Sequence, residues 1–157
     1  MRTLSGTVAI GVGSVFLVVA CATTMTKMTS DEAITARQQL MKRQGAASKA
    51  ISDKAKAGQI QAIVSDVETL VETSSKIPSL FPEGSLNRDT SRAKPEIWQK
   101  RSEFEGYAKL LNSKATQLAA TARTGDAQAT NAAIADLGRT TCAACHNGFR
   151  GPELKKS

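Results

Sequence analysis

Apolar positions along the chain recur with a helical period in four long stretches, and each stretch is bounded by residues that start or stop helices. Thr29 followed by Glu32 forms a capping box. Behind it Ile34, Arg37, Leu40, Met41, Gln44, Ala47, Ile51 and Ala55 keep one face, and Gly58 closes the helix. A second helix over 59–75 carries Ile60, Ile63, Val64, Val67, Leu70 and Val71 at the spacing of a single stripe. Pro78 and Pro82 stop it. The segment 77–94, with Pro, Gly, Ser and Asn, is long for a bare connection and so packs over something or serves a site, with Phe81 as its anchor. Pro95 suits the first turn of a third helix, which carries Ile97, Trp98, Phe104, Ala108, Leu111, Leu118 and Ala122 before Gly125. Asp126 caps a fourth helix bearing Ala133, Ile134, Leu137, Thr141, Ala144 and Phe149, and Gly151-Pro152 ends it. Two tight joins and one crossover among four amphipathic helices predict an all-α, antiparallel up-down-up-down four-helix bundle over 30–152, with ligands projecting inward.

The first twenty residues break this pattern. Met1-Arg2 and the mostly apolar run from Val8 to Ala20 read as an export signal, too short and too interrupted by Gly11, Gly13 and Ser14 for a comfortable membrane span. Leu17-Val18-Val19-Ala20-Cys21 has the form of a bacterial lipobox, and Ala20-Cys21-Ala22 that of an ordinary cleavage site. Lipidation would give a purpose to Cys21, otherwise an odd thiol in an oxidising compartment, so a lipid anchor there is the preferred expectation over soluble export. Residues 21–29 read as a flexible tether and 153–157 as a basic tail. In either case the mature protein is expected in the periplasm.

Alanine-rich composition and few aromatics agree with helices on helices. The net charge of +7 is scattered, without a Lys/Arg block, so nucleic-acid binding is poorly supported. A modestly basic surface suits docking to an acidic protein, and equally reads as an ordinary solvated surface.

The chemistry stands near the C-terminus, in Cys142-Ala143-Ala144-Cys145-His146. C-x-x-C-H is the spacing at which two thiols bind haem vinyl groups and the next imidazole takes the iron. On a helix, positions 142, 145 and 146 share one face. A structural zinc would need four ligands, whereas His146 is the only histidine and Cys21 is remote. A thioredoxin-like dithiol wants a βαβ context that is absent. One covalent haem c is therefore the expected cofactor, and with His146 committed to iron no distal histidine is left for peroxidase-type acid–base work. Arg37, one turn before Met41 on the same face, is placed to reach a propionate, or to snorkel to solvent. Phe81, Trp98 and Phe104 are candidates for the haem wall. Arg150, one turn after His146, either serves the haem face or complements a helix C-terminus.

Over 31–150 the chain resembles the class II cytochromes c, the cytochrome c-prime superfamily. The residues that carry the likeness are Arg37-Gln38-Gln39-Leu40-Met41-Lys42, Ile77-Pro78-Ser79-Leu80-Phe81-Pro82, Lys94-Pro95-Glu96-Ile97-Trp98 and the stretch from Cys142 to Arg150. Leu40-Met41-Lys42, Leu80-Phe81-Pro82 and the Phe149-Arg150 ending look more like the low-spin branch. That resemblance implies His146 as proximal ligand, with Met41 on the other side of the porphyrin. It implies a non-enzymatic electron carrier with redox partner proteins if Met41 ligates iron, and a five-coordinate protein binding nitric oxide or carbon monoxide if it does not. It also implies that copies pair as homodimers through the first two helices.

Overall fold

The structure is a computed structural model and describes residues 28–154. The export segment, Cys21 with its expected lipid, most of the tether and the last three residues lie outside the described residues. Helix α1 (Ser30–Lys56) begins with the expected capping box: Glu32 N donates to Thr29 Oγ1, and Thr29 N donates back to Glu32 Oε2 at 2.8 Å. It ends two residues before Gly58, whose φ of +73° is a conformation that glycine adopts without strain.

The second helix opens with a 3₁₀ turn at Gln61–Ile63 before α2 (Val64–Ser74). The third is two helices rather than one. A short α3 (Glu96–Gln99) is separated by Lys100, at φ −118° and ψ 47°, from the long α4 (Arg101–Arg123). The cause is non-local: Arg101 donates to the carbonyls of Pro78 and Phe81, 2.8 Å each, so the start of α4 is fixed by the crossover and not by continuity with α3. Gly125, at φ +79°, turns the chain, and Asp126 caps α5 (Ala127–Leu137) by accepting from Ala129 N at 2.9 Å.

The fourth predicted helix is also interrupted. A π-helical segment, Gly138–Ala143, joins α5 to α6 (Ala144–Phe149). A π segment leaves carbonyls without their usual partners, and two threonine hydroxyls donate to such carbonyls, Thr140 to Asp136 O and Thr141 to Leu137 O, at 2.8 and 2.6 Å.

The elements form a four-helix bundle. α2 packs most extensively on α4, α1 on α2, and α4 on α5. Small residues explain the close α2–α4 contact: Ala115, Ala119 and Ala122 are buried on α4 facing the region of Ile63, Val67 and Leu70. Each such aliphatic side chain contributes about 1.5–3 kcal/mol when fully buried. The crossover is stapled at its far end, where Lys94 N donates to Phe149 O and Gly151 N to Arg92 O, at 3.1 and 2.7 Å. This staple holds the chain beyond the C-x-x-C-H motif against the loop that precedes α3. No helix among the described residues is long and apolar enough to cross a membrane.

Candidate haem site

A cavity of about 470 Å³ opens between α1, α4 and the α5–α6 unit. Its size is that of a site for a substantial organic ligand. Cys142, Cys145 and His146 line one side, although Cys142 belongs to the π segment and the other two to α6. The single α-helical face expected for the motif is therefore corrected in its geometry, while the three side chains still reach one space. Thr141 Oγ1 lies 3.6 Å from Cys142 Sγ, beside that junction.

Burial, reinforced by the neighbouring Cys142, pushes the Cys145 thiol up to about 11. A thiol held protonated in this way is a poor nucleophile. Burial, then the charges of Arg150 and Arg92, holds His146 below the usual imidazole range. The neutral ring so favoured is the form that ligates a metal.

Met41 lines the cavity from α1, half-buried, together with Arg37 one turn earlier and Gln44 further along the same helix. Arg37 is only 3% exposed and is paired with no carboxylate among the described residues. Its guanidinium donates to Ser85 Oγ and O and to Ser91 Oγ at 3.0, 2.8 and 2.7 Å, and lies 4.7 Å from the centre of the Phe81 ring. The snorkelling alternative is thus not the one adopted. A buried guanidinium bordering a cavity without its own anion is suited to a ligand that brings one.

Phe81 and Phe104 line the cavity, their ring centres 4.9 Å apart, and Phe149 extends the cluster at 5.4 Å from Phe104. Trp98 does not line it. It packs behind Phe81, 6.4 Å between ring centres, and its Nε1 donates to Pro82 O at 3.0 Å. The break at Lys100 accounts for this, because α3 and α4 do not share a continuous face. Tyr107, unremarked in the sequence, joins the wall 6.1 Å from Phe149; its spacing of three from Phe104 was the available signal. Ser85 and Ser91, which hold Arg37, carry no local signal at all. Arg150 is exposed at the cavity edge beside His146. Two thiols, one neutral imidazole, an anion-seeking arginine and aromatic walls fit a haem c.

The site and the bundle define a c-type haem protein. A family model described as Cytochrome C' matches residues 32–150, and the chain belongs to the cytochrome c' family. A cytochrome c' from Pararhodospirillum photometricum is 33% identical over 73% of this chain and 92% of its own length. One from Rhodospirillum rubrum is 37% identical over 60% of this chain and 58% of that protein, so the match spans less than two thirds of the latter. Among solved structures, cytochrome c' from Thermochromatium tepidum superposes with a TM-score of 0.69 at 28% identity, covering 80% of this chain and 99% of that one. A nitric oxide complex of a variant cytochrome c prime from Alcaligenes xylosoxidans gives 0.69 at 26%, over 80% and 98%. A carbon monoxide-bound variant of the same protein gives the same score and identity. Members of the family are periplasmic, non-enzymatic haem proteins with one covalent haem c. These relatives are cytochromes c' without distinction of the low-spin branch that the sequence resembled.

Proposed function

We propose that this protein is a periplasmic cytochrome c' that captures nitric oxide or carbon monoxide. Cys142 and Cys145 would hold the haem through thioethers, His146 would take the iron from the proximal side, and Arg37 would pair with a propionate. The haem, when bound, supplies an iron whose remaining axial position takes a diatomic ligand. The observation that carries the reading is the wall opposite His146. There Met41, Phe81 and Phe104 present an apolar surface with no histidine or carboxylate to move a proton. Such a surface favours small neutral ligands, and it offers no histidine or carboxylate for acid–base turnover. The nitric oxide and carbon monoxide complexes of the Alcaligenes protein agree with it.

A second reading rests on Met41. Its thioether lies in the cavity lining, and ligation would fill the last position, raise the potential and make the protein an electron carrier. The absorption spectrum of the reduced holoprotein, before and after carbon monoxide, separates the two. A broad high-spin spectrum that changes on adding the gas is expected; sharp, split bands indifferent to it would establish the carrier instead.

A lipid at Cys21 remains the proposed anchor, tested by mass spectrometry of the mature N-terminus; a chain beginning after Ala22 without acyl groups refutes it. Another solved cytochrome c' is described as having ligand-controlled dimer dissociation. A homodimer through α1 and α2 is proposed here on that likeness, with sedimentation of the holoprotein as its check.

A further inference from the structure

The cavity opens among cations that few acids answer. Lys42, Arg92 and Arg150 line it together with the buried Arg37, and no aspartate or glutamate does. A groove beside it shares Ser91, Arg92, Ala93 and Leu154 with the cavity and adds Arg88 and Lys94. The carboxylates of that groove are Glu96, whose Oε2 is buried, and Glu153, which reaches Arg92 only at 3.8 Å. Glu83 and Asp89 stand on the same crossover but line neither space. Elsewhere the bundle neutralises its cations: Arg43 pairs with Glu72, Lys54 with Asp66, Lys114 with Asp136 and Arg123 with Glu68. Among the described residues Lys42, Arg88, Lys94 and Arg150, like Arg37 behind them, make no ion pair, and outside this rim only Lys56 and Lys109 share that lack. Unpaired charge gathered at one opening makes a directed field, which scattered and neutralised charge does not. Leu154, 39% exposed, sits where the two spaces meet, and Lys155 and Lys156 follow it in the sequence.

We propose that this rim is a docking surface for an acidic protein that acts as a one-electron donor to the haem. The inference rests on the haem reading of the cavity and holds for either role of Met41, since an electron carrier and a protein that takes carbon monoxide on ferrous iron must both be reduced. In that step the donor loses one electron and ferric iron becomes ferrous; no proton or atom is transferred. The cations border the opening, so a donor held by them stands where the cofactor is least covered. Bound haem would bring two propionates, one of them taken by Arg37 in the reading above. Lys42, Arg88, Arg92, Lys94 and Arg150 outnumber the other propionate with Glu96 and Glu153, so the rim stays positive. A single exposed leucine ringed by charge fits a small, transient protein contact. It does not offer the broad apolar helix face with which an interfacial helix enters a bilayer, and an acidic protein is therefore favoured over an anionic membrane.

Reduced flavodoxin, an acidic one-electron flavoprotein, serves as the probe, mixed with the ferric holoprotein in a stopped-flow spectrometer at low ionic strength. Lys42→Glu and Lys94→Glu are each expected to slow reduction roughly three- to tenfold. Lys56→Glu makes the same change of net charge on α1, about 20 Å further along than Lys42, and should slow it by less than about twofold. Added salt should erase the difference. With hexaammineruthenium(II), a cationic reductant, the rim variants should react as fast as the parent or faster. Slowing by both reductants would place the effect at the iron, and equal slowing in all three variants would make it one of net charge; either overturns the proposal. So would flotation on phosphatidylglycerol vesicles that the rim variants lose while their flavodoxin rates stay unchanged, because the rim would then face a membrane. A purified chain without a Soret band removes the haem reading and the docking surface with it. A parent that carries haem and is reduced at a rate indifferent to the rim substitutions removes the docking surface alone.

Discussion

The two sides of the cavity are built in opposite ways. On one side, Cys142, Cys145 and His146 come from five consecutive residues, and their meeting is a local consequence of helical geometry adjusted by one π segment. On the other, Arg37, Met41 and Gln44 also share a helix, but two of them owe their setting to distant partners, Ser85 and Ser91 for Arg37 and Thr73 for Gln44. The local side supplies what any c-type haem needs. The assembled side borders the position left open on the iron, so its side chains decide what can bind there.

Removing the local side should have the largest effect. A Cys142→Ser, Cys145→Ser double variant is expected to lose all covalent haem, read on a denaturing gel stained for haem. Retention of the stain would place the attachment elsewhere. Next comes the assembled side at its centre. If the position opposite His146 is open, Met41→Leu should leave the holoprotein high-spin and alter carbon monoxide uptake only by the change of shape beside it. A conversion from low to high spin on that substitution would instead make Met41 a ligand and the protein a carrier.

Arg37→Met probes the edge of the same side. It removes a buried cation and leaves Ser85 O and Ser91 Oγ without their donor, which should cost about 1–3 kcal/mol in denaturant titration of the holoprotein. A positive charge near the iron favours the reduced state, so the midpoint potential should also fall. Lost stability with an unmoved potential would confine Arg37 to bracing the crossover.

This division also explains what could be read from the chain. The capping box at Thr29 and Glu32, the stop at Gly58 and the cap at Asp126 are interactions within a few residues, and each occurs where the local pattern placed it. The breaks at Lys100 and across Gly138–Ala143 carry no such mark. The first follows from Arg101 reaching the carbonyls of Pro78 and Phe81, a contact more than twenty residues back in the chain for one of them. Trp98 shows the consequence: on an unbroken helix it would share a face with Phe104's neighbours, but the break turns it behind Phe81. The C-x-x-C-H motif named a cofactor because its chemistry is complete within five residues. Gln44 was visible only as one more position on the α1 stripe, because its meaning lies in Thr73, twenty-nine residues away.

The smallest expected effect concerns how α1 is held to α2 outside the cavity. There Glu72 accepts from Arg43 on α1 and from Lys76, at 2.6 and 2.7 Å between the closest atoms, and the Arg43 hydrogen bond, then that of Lys76, holds its carboxyl down at about 2. All three side chains are about half exposed, so the contribution is modest and screened by salt. Its sign follows from linkage. A carboxylate lowered in the folded state stabilises fully above its ordinary value of 4.5, and that stabilisation is lost as pH falls toward 2. Glu72→Gln should therefore lower stability slightly at neutral pH and flatten the acid limb between these values, with the difference shrinking in high salt. The inner clamp, Gln44 with Thr73, has no group that titrates in this window, so Gln44→Leu should leave the slope of that limb unchanged. A slope that Gln44→Leu altered as much as Glu72→Gln would show that the two faces of the α1–α2 contact do not act independently.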